Sequence, residues 1–390
     1  MTGLQRNPDF DVADFLANYW QKKPLVIRDF FSNFSDPLSA EELAGLALED
    51  GIESRLVKVN TDQDYSLRHG PFTEADFLEL PESHWTLLVQ AVDQVMPEVA
   101  TIRLAFDFLP SWRVDDVMIS AAVPGGGVGP HLDQYDVFLL QGAGSRLWKL
   151  SGPGKKDALE ITEGGLKLLK EFETDQELTL NCGDVLYIPP GYGHWGTALE
   201  PGLCYSIGFR APSYAEMIEA MSDLAIDQQD DFQRYQDIPI DTPVTPGEIS
   251  GAGLQRAWES LQPALQRFDL FQQGFGQLVT QPRYPELTQP PTEPVSLESL
   301  AAARDAAEQL LRNPTSRFAW THSAATDGDG IQLFADGEAH DQPRANLQAI
   351  ISLCDLTIEN IWDISSYQQQ KEWLDLLLEL INRGCLYLPD

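Results

Sequence analysis

The sequence holds 390 residues, with 60 Asp and Glu against 26 Lys and Arg, a formal charge of −34 and 43% hydrophobic residues. Nine Trp, eleven Tyr and eighteen Phe need burial, which excludes a wholly disordered chain, and the length suits two or three domains. So acidic a surface repels phosphates and excludes direct nucleic-acid binding as the expected role, leaving a basic partner or plain solubility as its meaning.

The opening residues, Met1-Thr2-Gly3-Leu4-Gln5-Arg6, lack the basic-then-apolar layout of a signal peptide, and no apolar run approaches the ~20 residues that span a bilayer. Cys182, Cys204, Cys354 and Cys385 are too scattered for a zinc knuckle or redox pair and are expected to be buried free thiols. The expectation is a cytoplasmic protein with no membrane contact. Helices are predicted at Val12–Gln21 and at Trp85–Met96, where Trp85, Leu88, Val89 and Val92 form a helical stripe. Strands are predicted at Val117–Val123, Val137–Gln141, Leu147–Leu150, Glu177–Leu180, Val185–Ile188 and Leu203–Phe209. Many short strands between Gly and Pro turns point to a sandwich or barrel.

From Pro212 the pattern becomes helical. Leu254, Trp258, Leu261, Leu265 and Phe268 make one apolar stripe, either packed within its own domain or forming a dimer interface. A Pro-rich stretch (Pro282, Pro285, Pro290, Pro291, Pro294) reads as a linker. Helices at Leu297–Leu311, Asn346–Cys354 and Gln370–Arg383, followed by a β-like Cys385–Leu388, resemble a winged helix. Acidic side chains outnumber basic ones in that C-terminal stretch, so DNA binding by it is disfavoured. The chain thus divides into a barrel with N-terminal helices (1–213), a helical region (214–290) and a winged-helix-like domain (291–390).

Chemistry concentrates in the barrel. In Pro124-Gly125-Gly126-Gly127-Val128-Gly129-Pro130-His131-Leu132-Asp133, a strand would put His131 and Asp133 on one face, a pair suited to Fe(II), Mn(II) or zinc. Alone the pair is weak. Further on, Gly183-Asp184-Val185-Leu186-Tyr187-Ile188-Pro189-Pro190-Gly191-Tyr192-Gly193-His194 fits the second half-motif of cupin-type double-stranded β-helix barrels, with His194 presented at the barrel mouth. His131, Asp133 and His194 together make a 2-His-1-carboxylate triad with open coordination positions. A bidentate 2-oxo acid filling those positions would need a cation for its far carboxylate. Arg146 is the first candidate, Arg210 the runner-up and Lys149 third. His69, His84, His322 and His340 have no ligand-like partner and are expected at the surface or as caps. No phosphate-binding loop is present, and Gly125–Gly129 is not followed by the helix of a dinucleotide fingerprint.

Pro124–Asp136 with Arg146, Leu186–His194 and the N-terminal run Phe15–Arg28 resemble the JmjC-type ribosomal oxygenases, in particular the branch that hydroxylates an arginine of a large-subunit ribosomal protein. The resemblance implies a JmjC/cupin-like barrel, a helical dimerisation region and a winged helix. It implies Fe(II) held by His131, Asp133 and His194, with 2-oxoglutarate and O2 as co-substrates and Arg146 on the distal carboxylate of 2-oxoglutarate. Succinate and CO2 would form as the substrate carbon gains a hydroxyl group. Ala122 departs from the small hydroxyl residue expected in relatives, which puts one secondary contact to the co-substrate in doubt.

An arginine substrate calls for a carboxylate, and Asp115, Asp116 and Asp136 lie close to the metal strand, while Tyr135 would share its face if that strand continued. The site residues expected to meet substrate are Asp116 and Tyr135. Partners are then a basic ribosomal protein and a second copy of the chain. Two enzymatic rivals keep the chemistry and change the target: a histidyl hydroxylase of ribosomal proteins, or a small-molecule oxygenase. A third rival is a non-catalytic cupin-like binding or regulatory module.

Overall fold

Short apolar runs between glycine and proline turns form the strands of the first half, because alternating residues find a core on each side of the sheet. The structure, a computed structural model, describes residues 5–61, 64–153, 159–161, 165–229, 234–237, 246–306, 308–324, 330–358, 360–363 and 371–389. It divides into two units, Met1–Ala211 and Pro212–Asp390.

In the first unit α1 (Val12–Asn18), β1 (Leu25–Ile27), α2 (Ala40–Leu46), β2 (Ser54–Thr61), β3 (Asp64–His69), α3 (Glu74–Leu78), β4 (Trp85–Val89), α4 (Val92–Val95) and α5 (Pro97–Ala100) precede the remaining strands. These are β5 (Val114–Ala122), β6 (His131–Leu132), β7 (Asp136–Gln141), β8 (Ser145–Pro153), β9 (Leu159–Ile161), β10 (Lys167–Leu169), β11 (Gln176–Asn181), β12 (Val185–Ile188), β13 (Tyr192–Ala198) and β14 (Gly202–Phe209). An eight-stranded sheet runs β1-β12-β7-β14-β5-β4-β2-β3, and a four-stranded sheet runs β11-β8-β13-β6. They face each other across a shared apolar layer holding Val137 and Leu139 of the first sheet and Trp148 and Leu150 of the second. This is the jelly-roll arrangement of a double-stranded β-helix, two facing sheets rather than one closed ring.

Alternation on β5 sorts its side chains. Val117, Ile119 and Ala121 enter the large outer core, so Asp116, Met118, Ser120 and Ala122 face the interior between the sheets. The outer core is rich in aromatics: Phe106 and Phe138 lie 4.8 Å apart, and Phe15 of α1 meets Tyr187 edge-on at 5.0 Å. Each such fully buried side chain contributes ~1.5–3 kcal/mol, which fixes the N-terminal helices against the back of the sheet.

The helix predicted over Trp85–Met96 is instead β4 followed by the single turn of α4. Leu87 and Val89 enter the outer core while Leu88 enters a separate interior cluster. A run apolar on both faces reads equally as a buried strand or a helix, and here strand pairing decides. β4 pairs with both β2 and β5.

The second unit contains α6 (Tyr214–Asp227), α7 (Gly251–Leu265), α8 (Phe268–Thr280), α9 (Leu297–Asp305), β15 (Leu311–Arg312), β16 (Phe318–His322), β17 (Gly330–Ala335), β18 (Glu338–Pro343), α10 (Leu347–Cys354), α11 (Lys371–Asn382) and β19 (Leu386–Tyr387). β16, β17 and β18 form a sheet the sequence reading missed. The helix predicted to reach Leu311 ends at Asp305, and Leu311 pairs with Tyr387. Leu300, Leu333, Ile350, Trp373 and Leu377 share one core. Packing within its own domain does not absorb the α7 stripe: Leu254, Trp258, Leu261 and Leu265 are all exposed.

Two smaller expectations fail. Cys182 is exposed rather than buried, while Cys204 and Cys385 are buried thiols. His340 is buried beside Arg383 and Glu379 rather than at the surface. Among the described residues, no helix is long and apolar enough to cross a membrane.

Candidate metal and co-substrate site

β6 and β13 pair antiparallel with His131 directly opposite His194, so register alone places two imidazoles side by side, with ring centroids 4.1 Å apart. The glycine run before β6 lets the chain reach that position. A Cβ on Gly126 would stand 2.2 Å from the Trp85 carbonyl oxygen, and one on Gly127 2.3 Å from that of Gly196. Side chains there would push the loop away from β4 and β13.

Asp133 follows β6, where its carbonyl accepts from the Gly191 N–H at 2.9 Å. His194 Nε2 lies 3.4 Å from Asp133 Oδ2, and one ligand atom from each of His131, Asp133 and His194 falls within 4.8 Å of the others. His131 Nδ1 bonds the Gly129 carbonyl at 2.9 Å and His194 Nδ1 the Tyr192 carbonyl at 3.2 Å. An Nδ1–H donated to a carbonyl fixes the tautomer and leaves Nε2 as a lone-pair donor toward the cluster. Burial, then the neighbouring His194, lowers the His131 pKa to about 4. Burial alone would raise Asp133, but the hydrogen bond and charge of His194, then His131 and Arg55, outweigh it and hold Asp133 at about 2. A neutral His131 beside an ionised Asp133 is the protonation state in which these side chains bind a metal ion.

Arg146 lies on β8, 7% exposed, with Nη1 donating to Ser120 Oγ at 3.2 Å and its guanidinium 5.9 Å from the Trp148 ring. Trp148 lies 6.0 Å from the His194 ring, which links the arginine to the histidine pair along the interior. Arg146 Nε has no hydrogen-bond partner, and among the described residues no carboxylate pairs with this guanidinium. Thr86 Oγ1 and Trp148 Nε1 are also buried and unpartnered. A buried cation and orphaned donors beside a metal-ligand set fit a co-substrate that chelates at one end and carries a carboxylate at the other.

Lys149 and Arg210 are placed elsewhere. Alternation turns Lys149 outward over Trp195 at 5.1 Å, and Arg210 follows the end of β14 remote from Cys204, its carbonyl accepting from Arg113 Nε. The departure at Ala122 is offset nearby: Ser120 on the same face supplies a hydroxyl, and Thr86 sits opposite Ala122 in register.

Asp116 is buried on β5, with Oδ2 accepting from Gln90 Nε2 at 2.7 Å and the Ala91 N–H at 3.2 Å. Above Gly208, the point where a Cβ would stand is 3.7 Å from both Asp116 Oδ1 and the Tyr135 ring. β6 ends at Leu132, so Tyr135 arrives through a turn rather than along a continued strand, and it is 38% exposed. Asp136 is withdrawn from the site by a buried network: it accepts from Tyr187 Oη at 2.5 Å and from Gln21 Nε2 and Arg113 Nη2 at 3.1 Å each. Sequence reasoning missed Arg55 and Gln90, which reach the interior from β2 and the end of β4, because neither strand was recognised.

Comparison with known proteins agrees in family and fold. Residues 102–217 match the JmjC domain, and residues 264–387 match the ROXA-like winged helix. The chain is 37% identical over 372 residues to the ribosomal protein uL16 3-hydroxylase of Escherichia coli (strain K12), covering 95% of this chain and 96% of that protein. It is 34% identical over 282 residues to a probable ribosomal oxygenase of Haemophilus influenzae, 69% of each chain. The solved structure of YcfD, a ribosomal oxygenase from Escherichia coli, in complex with cobalt and 2-oxoglutarate matches with a TM-score of 0.84 at 35% identity, covering 99% of both chains.

Proposed function

This chain belongs to the JmjC ribosomal oxygenases, and on that premise we propose that it is an Fe(II)- and 2-oxoglutarate-dependent hydroxylase of an arginine side chain in a large-subunit ribosomal protein. The observation that carries this reading is the buried, carboxylate-free guanidinium of Arg146 on the same interior as the His131, Asp133 and His194 cluster. His131, Asp133 and His194 would hold the metal, their Nδ1 bonds keeping both Nε2 atoms aimed at it. Arg146, assisted by the Ser120 hydroxyl, would bind the distal carboxylate of 2-oxoglutarate. With O2, iron and 2-oxoglutarate supply the oxidant that places a hydroxyl group on a substrate carbon.

The chain's own task is then to bring the right carbon close and to exclude others. Asp116 would receive the substrate guanidinium and the Tyr135 ring would flank it, cation over aromatic face. A buried carboxylate favours a cationic side chain over a neutral imidazole, which sets the arginine reading above the histidyl one.

The wider reading follows from charge and exposure. The three-part division, 1–213, 214–290 and 291–390, gives the middle part the role of dimerisation, supported by the exposed Leu254, Trp258, Leu261 and Leu265 on α7 and Ile218 on α6. The charge of −34 suits capture of a basic ribosomal protein in the cytoplasm, before ribosomal RNA covers it.

The test is direct. Purified protein incubated with Fe(II), ascorbate, 2-oxoglutarate and ribosomal proteins should add the mass of one oxygen atom to a single arginine of one large-subunit protein. No added oxygen on any ribosomal protein, with iron bound stoichiometrically, refutes the substrate assignment.

A further inference from the structure

The eight-stranded sheet ends at β1, which pairs with β12 and, among the described residues, with no second strand. Backbone alternation shows what its open edge presents. The Gln141 N–H donates to the Asp184 carbonyl, so Asp184 and Leu186 turn their backbone groups toward β7, and Val185 and Tyr187 turn theirs toward β1. Their partners there are Ile27 and Leu25, which leaves the Val26 N–H and C=O facing outward. An edge of this kind is a template for another extended chain. It lines a groove of ~320 Å³ between β1 and α1. Phe10, Tyr19 and Leu25 give the groove apolar surface, and Asp9, Asp11 and Asp14 give it an acidic wall. Arg28, the only cation lining it, is engaged by Asp184 at 2.6 Å and by the Thr179 carbonyl at 2.7 Å. Lys22 and Lys23 follow α1 and are taken up by the Ala17 carbonyl and the Tyr19 ring. The Lys22 carbonyl accepts from Tyr192 Oη at 3.1 Å, which ties the chain entering β1 to the strand that carries His194.

We propose that this groove docks an extended, basic segment of the protein substrate, added as a strand along the open edge of β1 with its Lys and Arg side chains toward Asp9, Asp11 and Asp14. The inference rests on the reading of the chain as a hydroxylase of a basic ribosomal protein, and it adds a contact that the reacting side chain does not touch. The three features of the groove divide the work. Main-chain pairing with β1 holds an extended segment whatever its sequence, the apolar surface accepts side chains from one of its faces, and the aspartates select positive charge on the rest. Docking here acts on the macromolecular substrate alone, so it should enter KM for the intact protein and leave the chemical step unchanged.

The test has a binding arm and a kinetic arm, both on the full-length protein. Fluorescence anisotropy measures binding of a labelled octapeptide of alternating Lys and Val, and of Lys-Pro and Glu-Val octapeptides; the first keeps the charge without a full set of N–H groups, the second reverses the charge. The Lys-Val peptide should bind about tenfold tighter than either and should slow hydrogen exchange over residues 24–28. Asp9→Lys with Asp14→Lys should lose about tenfold in its affinity. Asp9→Asn with Asp14→Asn, expected to lose about threefold, stands in should the lysine pair not fold. Glu293→Lys with Glu308→Lys changes the net charge equally and should leave the affinity as it was. In the kinetic arm, Asp9→Lys with Asp14→Lys should raise KM for the intact ribosomal protein about tenfold, with kcat and the KM of a short peptide around the target residue unchanged. Equal binding of the Lys-Val and Lys-Pro peptides, unaltered exchange over residues 24–28, or an unchanged KM for the intact protein overturns the inference. Peptide capture at β1 by a protein that hydroxylates no ribosomal protein instead overturns the functional reading on which the inference depends.

Discussion

Replacing Arg146 by methionine should move stability and co-substrate affinity in opposite directions. The guanidinium is 7% exposed, keeps one hydrogen bond to Ser120 and leaves Nε unpartnered, so in the ligand-free protein its charge is poorly compensated. Methionine fills a similar volume without charge, an exchange that for buried ions is neutral or stabilising by ~1–4 kcal/mol, less ~1 kcal/mol for the lost hydrogen bond. The ligand-free Tm should therefore hold or rise by a few degrees. Binding should suffer, because removing one partner of a buried charge pair costs ~2–5 kcal/mol, a rise of roughly 30-fold to a few thousand-fold in the 2-oxoglutarate requirement. Thermal denaturation with and without 2-oxoglutarate, and succinate formation against 2-oxoglutarate concentration, read both quantities on one preparation. Arg210→Met is the companion, expected to leave the 2-oxoglutarate KM unchanged. An unaltered KM in Arg146→Met, or a rise confined to Arg210→Met, refutes the clamp.

Three further outcomes follow from the same structure. His131→Ala and Asp133→Ala should each abolish succinate formation and lose stoichiometric metal in equilibrium dialysis; turnover surviving both changes would reject the metal assignment. Trp258→Glu combined with Leu261→Glu puts two charges into the exposed α7 stripe and should weaken self-association by ~30-fold or more in analytical ultracentrifugation, whereas a wild-type monomer at the same concentration would dismiss the dimer. Raising ionic strength should lower kcat/KM for the ribosomal protein while the 2-oxoglutarate KM stays constant, since only the macromolecular encounter is steered over long range; a rate indifferent to salt returns the −34 charge to plain solubility.

How much of this was legible in the sequence depended on whether alternation or flanking turns marked each element. β5, β7, β8, β11, β12 and β14 were visible because alternation or turn chemistry bounded them, and the two motifs on β6 and β12–β13 pointed to the histidines and aspartate that converge in space. β4 was misread because Thr86, Leu87, Leu88 and Val89 are all buried, so no exposed position marked its period. Losing β4 and β2 meant losing Arg55 and Gln90, whose importance lies in a pairing of strands distant in sequence. β6 spans two residues, too short to carry a pattern, and its early end is why Tyr135 arrives by a turn rather than by strand alternation. In the second unit, β16–β18 were hidden for a related reason: most of β16 is only half-buried, so its pattern is weak.

An acidic chain offers many carboxylates, and proximity in sequence to a metal strand does not choose among them. Four aspartates are buried among the described residues: Asp93, Asp116, Asp136 and Asp184. Asp93 faces Arg103 at 2.9 Å, Asp136 faces Arg113 at 3.1 Å and Asp184 faces Arg28 at 2.6 Å. Those pairs tie elements together: Asp93 also takes the Val117 N–H of β5, and Asp184 takes the Asp29 and Asn181 N–H groups. Asp116 Oδ2 takes the Gln90 amide and the Ala91 N–H, while Oδ1 borders the space over Gly208 beside Tyr135. A buried carboxylate is costly to keep ionised, and in the proposed reading a guanidinium delivered by the substrate would offset that cost at Asp116. Surface acidity would then gather basic proteins without distinguishing them, and selection of one side chain would fall to the space bordered by Asp116 and Tyr135.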